Sequence, residues 1–251
     1  MSVSSMLRFM IFATLFCYTS LVQAKTPNET LALGIGVKYD NLGYRSLDRE
    51  ITPFPFIHYE DQRFFVRGLE FGLHLQQTKT WSLDALAKIR LEGFAAEDSD
   101  FFQGMNDRDN ALEVGLSLGY QLPAGKLNLS LLADASATHE GREIKVSYAY
   151  PQRKGNWLIF PKLHVEHQSD DLANYYFGVH RHEATEARSV YAPGASLNYG
   201  VGLTLGYYLS KQHEFYFDSD YSIYDSAIKN SPIVEDSNSI KFRLRYAYRF
   251  W

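Results

Sequence analysis

The last twelve residues, IKFRLRYAYRFW (240–251), alternate between apolar and mostly basic side chains. In a β-strand, successive side chains point to opposite faces. One face of this segment would be wholly apolar: Ile240, Phe242, Leu244, Tyr246, Tyr248 and Phe250. The other would carry four positive charges: Lys241, Arg243, Arg245 and Arg249. Such a strand fits a soluble sheet packed on a core, and it also fits a transmembrane barrel with lipid outside and a wet lumen inside.

The first 24 residues have the pattern of a secretory signal peptide. Arg8 precedes the apolar run FMIFATLFCYTSLV (9–22), and Val22-Gln23-Ala24 forms a small-residue cleavage site. The run is shorter than the roughly 20 residues that a membrane-spanning helix needs. A buried N-terminal helix is the alternative. We expect residues 1–24 to be cleaved and residues 25–251 to form a single domain.

Composition narrows the classes of function. The only cysteine, Cys17, lies in the predicted leader, so the remaining chain has no disulfide and no cysteine-based metal site. Without Arg8, 24 Lys and Arg residues stand against 29 Asp and Glu residues, and this mildly acidic balance gives no argument for nucleic acid. The 18 Tyr and 17 Phe residues favour strands and membrane interfaces.

Alternating runs of about ten residues recur along the chain and predict twelve strands, with a range of ten to fourteen. The predicted strands are 31–39, 51–60, 63–75, 81–92, 111–121, 126–136, 143–150, 156–167, 175–180, 196–209, 214–224 and the closing segment. Prolines weaken the prediction for 51–60, because proline cannot donate to a ladder. In the cleanest runs, charged residues avoid the apolar face. A soluble β-sandwich remains the alternative, but the pattern favours an all-β fold, a transmembrane antiparallel up-and-down β-barrel.

The polar faces of the last two predicted strands carry opposite charges. Asp218 and Asp220 lie on one strand, and Lys241, Arg243 and Arg245 lie on the next. Opposite charges on adjacent strands can pair, whereas an unpaired row of charges would be costly. We expect these five residues to form a charge network in the lumen.

The C-terminal aromatic residues predict a second function for the closing strand. A terminal aromatic on an alternating strand resembles the signal read by the barrel-assembly machinery of the outer membrane. The predicted signal comprises Tyr246, Tyr248, Phe250 and Trp251. Trp251 is an additional residue, since Phe250 keeps the register of the usual terminal aromatic. The predicted partners are therefore outer-membrane lipid and this machinery.

Several segments resemble the MipA/OmpV family of Gram-negative outer-membrane proteins. They are ITPFPFIHYEDQRFFVRGLEFGLHL (51–75), GMNDR (104–108), NYYFGVHRHEATEARSVYAPGAS (174–196), NSPIVEDSNS (230–239) and YRF (248–250). Trp251 and Ala195-Ser196 depart from the family pattern. The resemblance implies an outer-membrane barrel. For the MipA branch it also implies a non-enzymatic scaffold that brings a lytic transglycosylase, a murein hydrolase, together with a bifunctional penicillin-binding protein in peptidoglycan remodelling.

Counting strands from a periplasmic N-terminus predicts where the connections lie. Outer loops are expected at 40–50, 76–80, 121–126, 151–155, 181–195 and 225–239, and periplasmic turns at 61–62, 93–110, 137–142, 168–174 and 210–213. Residues 93–110 are unusually long for a periplasmic turn, and long loops are often functional. We expect a partner contact there, formed by Phe101, Phe102, Gly104, Met105, Asp107 and Arg108. A lumen plug, or a miscounted strand that moves this segment outside, is the alternative.

Catalytic and metal-binding signals are weak. No G-x-S-x-G word is present. His180 and His182, followed by Glu183, have a spacing that could bind a metal, but no third ligand is placed and loop-edge histidines are favoured. His164 and Glu166 share the predicted lumen face, with His167 on the other, and a hydrogen-bond network is favoured over an acid–base pair. The sequence therefore predicts no catalytic residue, no cofactor and no metal.

Two further classes of function stay open beside the scaffold. A channel for small solutes would use the lumen, with the basic last strand favouring anions. A surface adhesin would use loops 40–50, 181–195 and 225–239. A lumen enzyme is the least favoured.

Overall fold

The computed structural model describes residues 29–47 and 51–251. Within them, the strands form one antiparallel sheet in which strands consecutive in sequence pair, except that β8 pairs with β10, and β1 pairs with β13. The strands are β1 (Thr30–Asn41), β2 (Ile51–Glu60), β3 (Phe64–Arg67), β4 (Glu70–Gln77), β5 (Trp81–Arg90), β6 (Ala111–Leu122), β7 (Gly125–Asp134), β8 (Arg142–Ala149), β9 (Gln152–Lys154), β10 (Trp157–Gln168), β11 (Ser196–Tyr208), β12 (His213–Ile223) and β13 (Asn238–Arg249). β8 and β9 lie end to end along one edge of β10, so the closed barrel has twelve strands. The predicted leader, residues 1–24, lies outside the described residues.

The helical segments are short and lie in the connections. They are α1 (Asp170–Phe177), α2 (Ser226–Lys229) and single 3-10 turns at Ala96–Asp98, Asp100–Phe102 and Arg181–Glu183. No helix in the described part of the chain is both long and apolar enough to cross a membrane.

The apolar faces of the strands point outward. Ile35, Leu163 and Leu244 are 70%, 58% and 56% exposed, whereas the polar residues between them point into the barrel. A soluble sandwich would bury its apolar face against a second sheet. The exposed apolar belt instead requires lipid around it, so the prediction of a transmembrane barrel is confirmed.

Two of the predicted strands are wrong, and their errors offset each other in the count. Residues 63–75 form two strands, because the chain reverses at Gly68, whose φ of +67° lies in the left-handed region that favours glycine. Residues 175–180 form no strand, since they begin in the last turns of α1. The total of twelve is therefore right although its members differ.

Because the chain reverses early at Gly68, the connections that follow it lie at the opposite ends of the barrel from those predicted. The end that holds the termini also holds the turns 61–63, 78–80, 123–124, 155–156 and 209–212. The other end holds residues 42–47 of the first loop and the loops 91–110, 135–141, 169–195 and 224–237. The placement of residues 93–110 at the end of the termini is therefore wrong, as are those of 76–80, 121–126, 137–142, 151–155 and 168–174. Because residues 175–180 form no strand, the connections from residue 181 onward lie at the predicted ends of the barrel again.

Replacing Leu116 by Arg tests which face of the barrel meets lipid. Leu116 lies in the middle of β6 and is 45% exposed on the outward face. A charge there enters hydrocarbon, so we expect the free energy of unfolding to fall by about 2–4 kcal/mol. The measurement is a urea titration of the barrel refolded in lipid vesicles, followed by tryptophan fluorescence.

Ser117→Arg is the matched control, because it places the same side chain in the lumen opposite Asp84. We expect this variant to lose much less stability than Leu116→Arg. Equal losses for the two variants would contradict the assignment of faces.

Candidate functional site

Helix α1 lies across one mouth of the barrel. The Ser169 hydroxyl accepts a hydrogen bond from the Leu172 amide at 3.4 Å, which caps the helix, and Asp170 and Asp171 complement its N-terminal dipole. The apolar face of α1 is buried and comprises Leu172, Ala173, Tyr176 and Phe177. The helix therefore needs a partner surface, and the neighbouring loops supply it.

Several loops bond to α1. The Tyr176 hydroxyl donates to the Asp109 carbonyl at 3.0 Å, and the Tyr44 hydroxyl donates to the Tyr176 carbonyl at 3.1 Å. The Ser231 hydroxyl donates to the Phe177 carbonyl at 2.6 Å. These bonds connect α1 to the β5–β6, β1–β2 and β12–β13 loops.

These loops enclose a hydrophobic core outside the strands. Its buried residues are Tyr44, Phe94, Phe102, Met105, Leu172, Tyr176, Phe177, Val179, Tyr224, Ile228, Ile233 and Val234. We call residues 42–47, 91–110, 169–195 and 224–237 together the cap. A cap with its own packed core is a folded cover, because close-packed apolar side chains resist opening.

The six residues predicted to contact a partner are parts of this cap. Phe102, Met105 and Arg108 are buried, and Phe101 lies half-buried beneath the guanidinium groups of Arg45 and Arg188. Gly104 and Asp107 are exposed, and the Asp107 carboxylate accepts from the Ala96 amide at 2.8 Å. Most of this segment is thus occupied in holding the cap together.

A buried ion pair fastens the two longest loops to each other. Each terminal nitrogen of Arg108 lies 3.0 Å from one oxygen of Glu183, and the amides of Asn106 and His180 donate to the same carboxylate at 3.0 and 2.8 Å. Burial raises the pKa of Glu183, but these donors outweigh burial and lower that pKa to about 2. The word GMNDR and the segment around His180 therefore meet in space.

The histidines beside Glu183 do not assemble a metal site. The rings of His180 and His182 stack at 5.8 Å, and Glu183 is engaged by Arg108. Among the residues that the structure describes, no group of three or more His, Cys, Asp or Glu side chains could hold a metal ion.

A layer of buried charges lies in the lumen beneath the cap. The Arg90 guanidinium contacts Glu92 at 2.7 Å and Glu113 at 2.8 Å, and it also bonds Glu143. Lys88 lies 3.7 and 3.6 Å from Glu113 and Glu143. Sequence reasoning missed this layer, although these residues occupy inward positions near the same ends of β5, β6 and β8.

The five residues of the predicted lumen network all face inward, but most of them pair with residues outside the predicted set. Arg245 bonds Asp218 at 2.6 Å, whereas Lys241 bonds Glu92 at 3.1 Å. Asp220 lies 3.5 Å from Lys162 and 3.8 Å from His164, and Arg243 lies 3.8 Å from Asp40. Among these five residues, Arg245 and Asp218 are therefore the one pair that bonds directly between the two strands.

The other residues predicted for the lumen and the C-terminus each lie on a defined face of the barrel wall. His164 is buried beside the Ser222 hydroxyl at 3.2 Å, while His167 faces outward. Tyr246, Tyr248 and Phe250 lie on the outward face, and the Trp251 carbonyl accepts from the Leu31 amide at 3.2 Å. Trp251 therefore prolongs the ladder between the two ends of the chain, and the assembly signal stays a prediction.

Comparison with known protein families matches residues 33–250 to the family described as MltA-interacting protein MipA. The chain belongs to the MipA family. The MltA-interacting protein of Escherichia coli K12 is 27% identical over 222 residues, covering 87% of this chain and 90% of the relative. Outer membrane protein OmpV of Vibrio cholerae is 29% identical over 154 residues, covering 61% and 60%. An outer-membrane channel of Pseudomonas putida F1, at 11% identity and a TM-score of 0.47, covers 92% of this chain and 99% of its own.

The MipA family match and the exposed apolar belt agree on location. Relatives are named outer membrane proteins, and the barrel exposes a belt of apolar side chains. This MipA-family chain is an outer-membrane β-barrel.

Lowering the pH should loosen the contact between the two cap loops of this MipA-family barrel. The pKa of Glu183 is about 2 in the folded protein against an ordinary value of 4.5, so its contribution to stability is complete above 4.5 and is lost as pH falls towards 2. We expect amide exchange in the peptides around Asn106 and His180, corrected for intrinsic rates, to increase between pH 5 and pH 2.5. Hydrogen-exchange mass spectrometry measures this change.

Glu183→Gln should raise exchange at pH 5 and remove most of the pH dependence. Glu186→Gln is the control, because Glu186 is exposed in the same loop. Unchanged protection of both peptides across this pH range in the parent protein would refute the role of Glu183.

Proposed function

We propose that this MipA-family barrel is a non-enzymatic scaffold of the outer membrane that binds a murein hydrolase in peptidoglycan remodelling. The observation that carries the proposal is the closed cap over a lumen crossed by ion pairs. A general diffusion channel needs a continuous water-filled path, and this barrel has a packed apolar core across one mouth. A relative named MltA-interacting protein supports the class of partner.

The distribution of charge supports a contact at the end that holds the termini. Turns and hairpin tips at this end expose five basic residues, Arg63, Lys79, Arg153, Lys154 and Lys211. The acidic residue in these turns and tips is Asp61. The described loops at the cap end carry fourteen Asp or Glu residues against five Lys or Arg residues. Barrels of this class place both termini in the periplasm, so the basic end faces the cell wall.

The most prominent feature of the basic end is the tip of the β9–β10 hairpin. β9 extends beyond the end of β7, because Lys126 at that end of β7 pairs with Ala149, the last residue of β8. Arg153 and Lys154 are exposed at this tip. A protruding basic tip attracts acidic surfaces and steers their approach. We infer that it contributes to the contact with the hydrolase, and that a penicillin-binding protein joins the same assembly.

Electrical recording tests the closed lumen. We expect the parent protein in planar lipid bilayers to show no steady conductance, because the cap covers one mouth. Replacing residues 170–193 by a short Gly-Ser linker should open a conducting path. Steady openings of the parent protein at neutral pH would instead support a channel.

A binding measurement tests the basic tip. The barrel in lipid nanodiscs is titrated with the purified MltA-type lytic transglycosylase of the same organism, and binding is followed by biolayer interferometry. We expect the double variant Arg153→Glu/Lys154→Glu to weaken binding at least tenfold and to make the remaining binding less sensitive to salt. Arg181→Glu is the matched control, because it reverses an exposed charge at the cap end.

Equal binding by the parent and the double variant would move the contact away from the hairpin tip. Absence of binding by the parent protein would refute the scaffold itself. Heat-modifiable migration on gels confirms that each variant has formed its barrel.

A further inference from the structure

The barrel wall is interrupted above the β3–β4 hairpin. β2 pairs with β1 along its whole length, but on its other edge only residues 58–60 pair with β3. β3 ends at Arg67, and β4 begins at Glu70 opposite Lys88 of β5. In the described part of the chain, residues 51–56 therefore have no strand on this edge, and neither does the end of β5. We call this interruption the window.

The sequence of β2 is adapted to an unpaired edge. The Ile57 carbonyl accepts from the Gly68 amide, which shows that odd-numbered residues of β2 direct their backbone groups towards β3 and the window. Two of the odd positions along the window are Pro53 and Pro55, which have no N–H. Unpaired donors are costly in lipid, and proline is the residue found on such edges. The window is thus built into the chain.

A cavity passes through the window into the lumen. Its volume is about 440 Å³, within the range of roughly 300–1,000 Å³ that is usual for ligand pockets. It is lined by inward-facing charged residues and also by Pro55, Leu69, Ile89 and Leu91. Pro55, Leu69 and Ile89 lie on the outward, lipid-facing side of the wall. The cavity therefore has lining residues from both faces of the wall.

Cations outnumber anions around the inner part of this cavity, and most of them are engaged. Arg67 bonds Glu60, Arg245 bonds Asp218 and Lys241 bonds Glu92. The Lys38 ammonium bonds one carboxylate oxygen of Asp40 at 2.7 Å.

Arg243 is the exception. Its guanidinium lies 3.8 Å from the other Asp40 oxygen, makes no hydrogen bond to a described residue and is 41% exposed. The cavity therefore contains a half-exposed guanidinium whose hydrogen-bond donors are not used by a described residue.

We propose that the window admits a long-chain fatty acid from the outer leaflet and that Arg243 binds its carboxylate. The alkyl chain would lie among Pro55, Leu69, Ile89 and Leu91, where it stays in contact with apolar side chains. A carboxylate offers two oxygens to the two nitrogens of a guanidinium, which is the strongest pairing for this side chain. This site is independent of the proposed scaffold, because it lies in the wall near the cap and the scaffold contact lies at the opposite end.

Photo-crosslinking in lipid vesicles tests the site. The refolded full-length barrel is illuminated with a diazirine analogue of palmitic acid, and labelled peptides are identified by mass spectrometry. We expect labels to concentrate on the peptides that contain Pro55, Leu69 and Leu91 rather than to follow the whole outer belt. Excess palmitate should compete with this labelling.

Arg243→Gln should lower labelling at the window about tenfold, the loss expected for one charge-assisted hydrogen bond. Arg249→Gln is the matched control, since Arg249 faces the lumen on the same strand and is paired with Glu214 near the opposite mouth. The methyl ester of the probe lacks the charge, so it should label the parent protein as weakly as the acid labels Arg243→Gln. Heat-modifiable migration shows that both variants form the barrel.

Two results would overturn the proposal. One is labelling spread evenly over the outward faces of all strands, or equal labelling by acid and ester. The other is window labelling by a diazirine phosphatidylglycerol that Arg243→Gln abolishes, without labelling by the free acid. In that case the anion bound at Arg243 belongs to a membrane phospholipid. Neither result depends on binding of a murein hydrolase.

Discussion

The structure depends on the requirement that backbone N–H and C=O groups be paired wherever the chain meets lipid. Each unpaired group in hydrocarbon costs several kcal/mol, so a sheet in a membrane must close on itself. The ladder between β1 and β13 meets this requirement at the two ends of the chain, and the Trp251 carbonyl extends it by one more bond. The requirement is relaxed at the window, where Pro53 and Pro55 reduce the number of donors left unpaired.

The outer face of the barrel was predictable because its environment is uniform. Every outward position on a central strand meets hydrocarbon, so alternation such as that of Leu112, Val114 and Leu116 follows from local sequence alone. The reversal at Gly68 was missed because it lies inside an apolar stretch. Its signal is a change of phase, since Phe64 and Val66 face outward before the turn and Leu69 and Phe71 face outward after it.

The lumen and the cap were less predictable because their contacts join residues distant in sequence. Asp218 stands opposite Arg243 in the register, yet it bonds Arg245, since a long guanidinium side chain can reach a diagonal neighbour in a wet lumen. The last three residues of helix α1 lie in the segment 175–180, which the sequence analysis predicted as a strand, and the rest of the helix lies mostly in the predicted turn 168–174. Its buried residues Leu172, Ala173, Tyr176 and Phe177 have helical spacing, and Ser169 provides the N-cap.

The cap and the window have complementary consequences for access to the lumen. The cap closes the axial route with a packed core, held by the pairing of Arg108 and Glu183. The β3–β4 hairpin fixes the lower margin of the window, because both oxygens of Glu60 on β2 accept from Arg67 on β3. A solute in water at the cap side therefore meets packed loops, whereas a molecule dissolved in lipid meets a cavity lined by apolar side chains and by Arg243. Under the fatty-acid proposal, the order of these barriers would favour amphiphiles over small polar solutes.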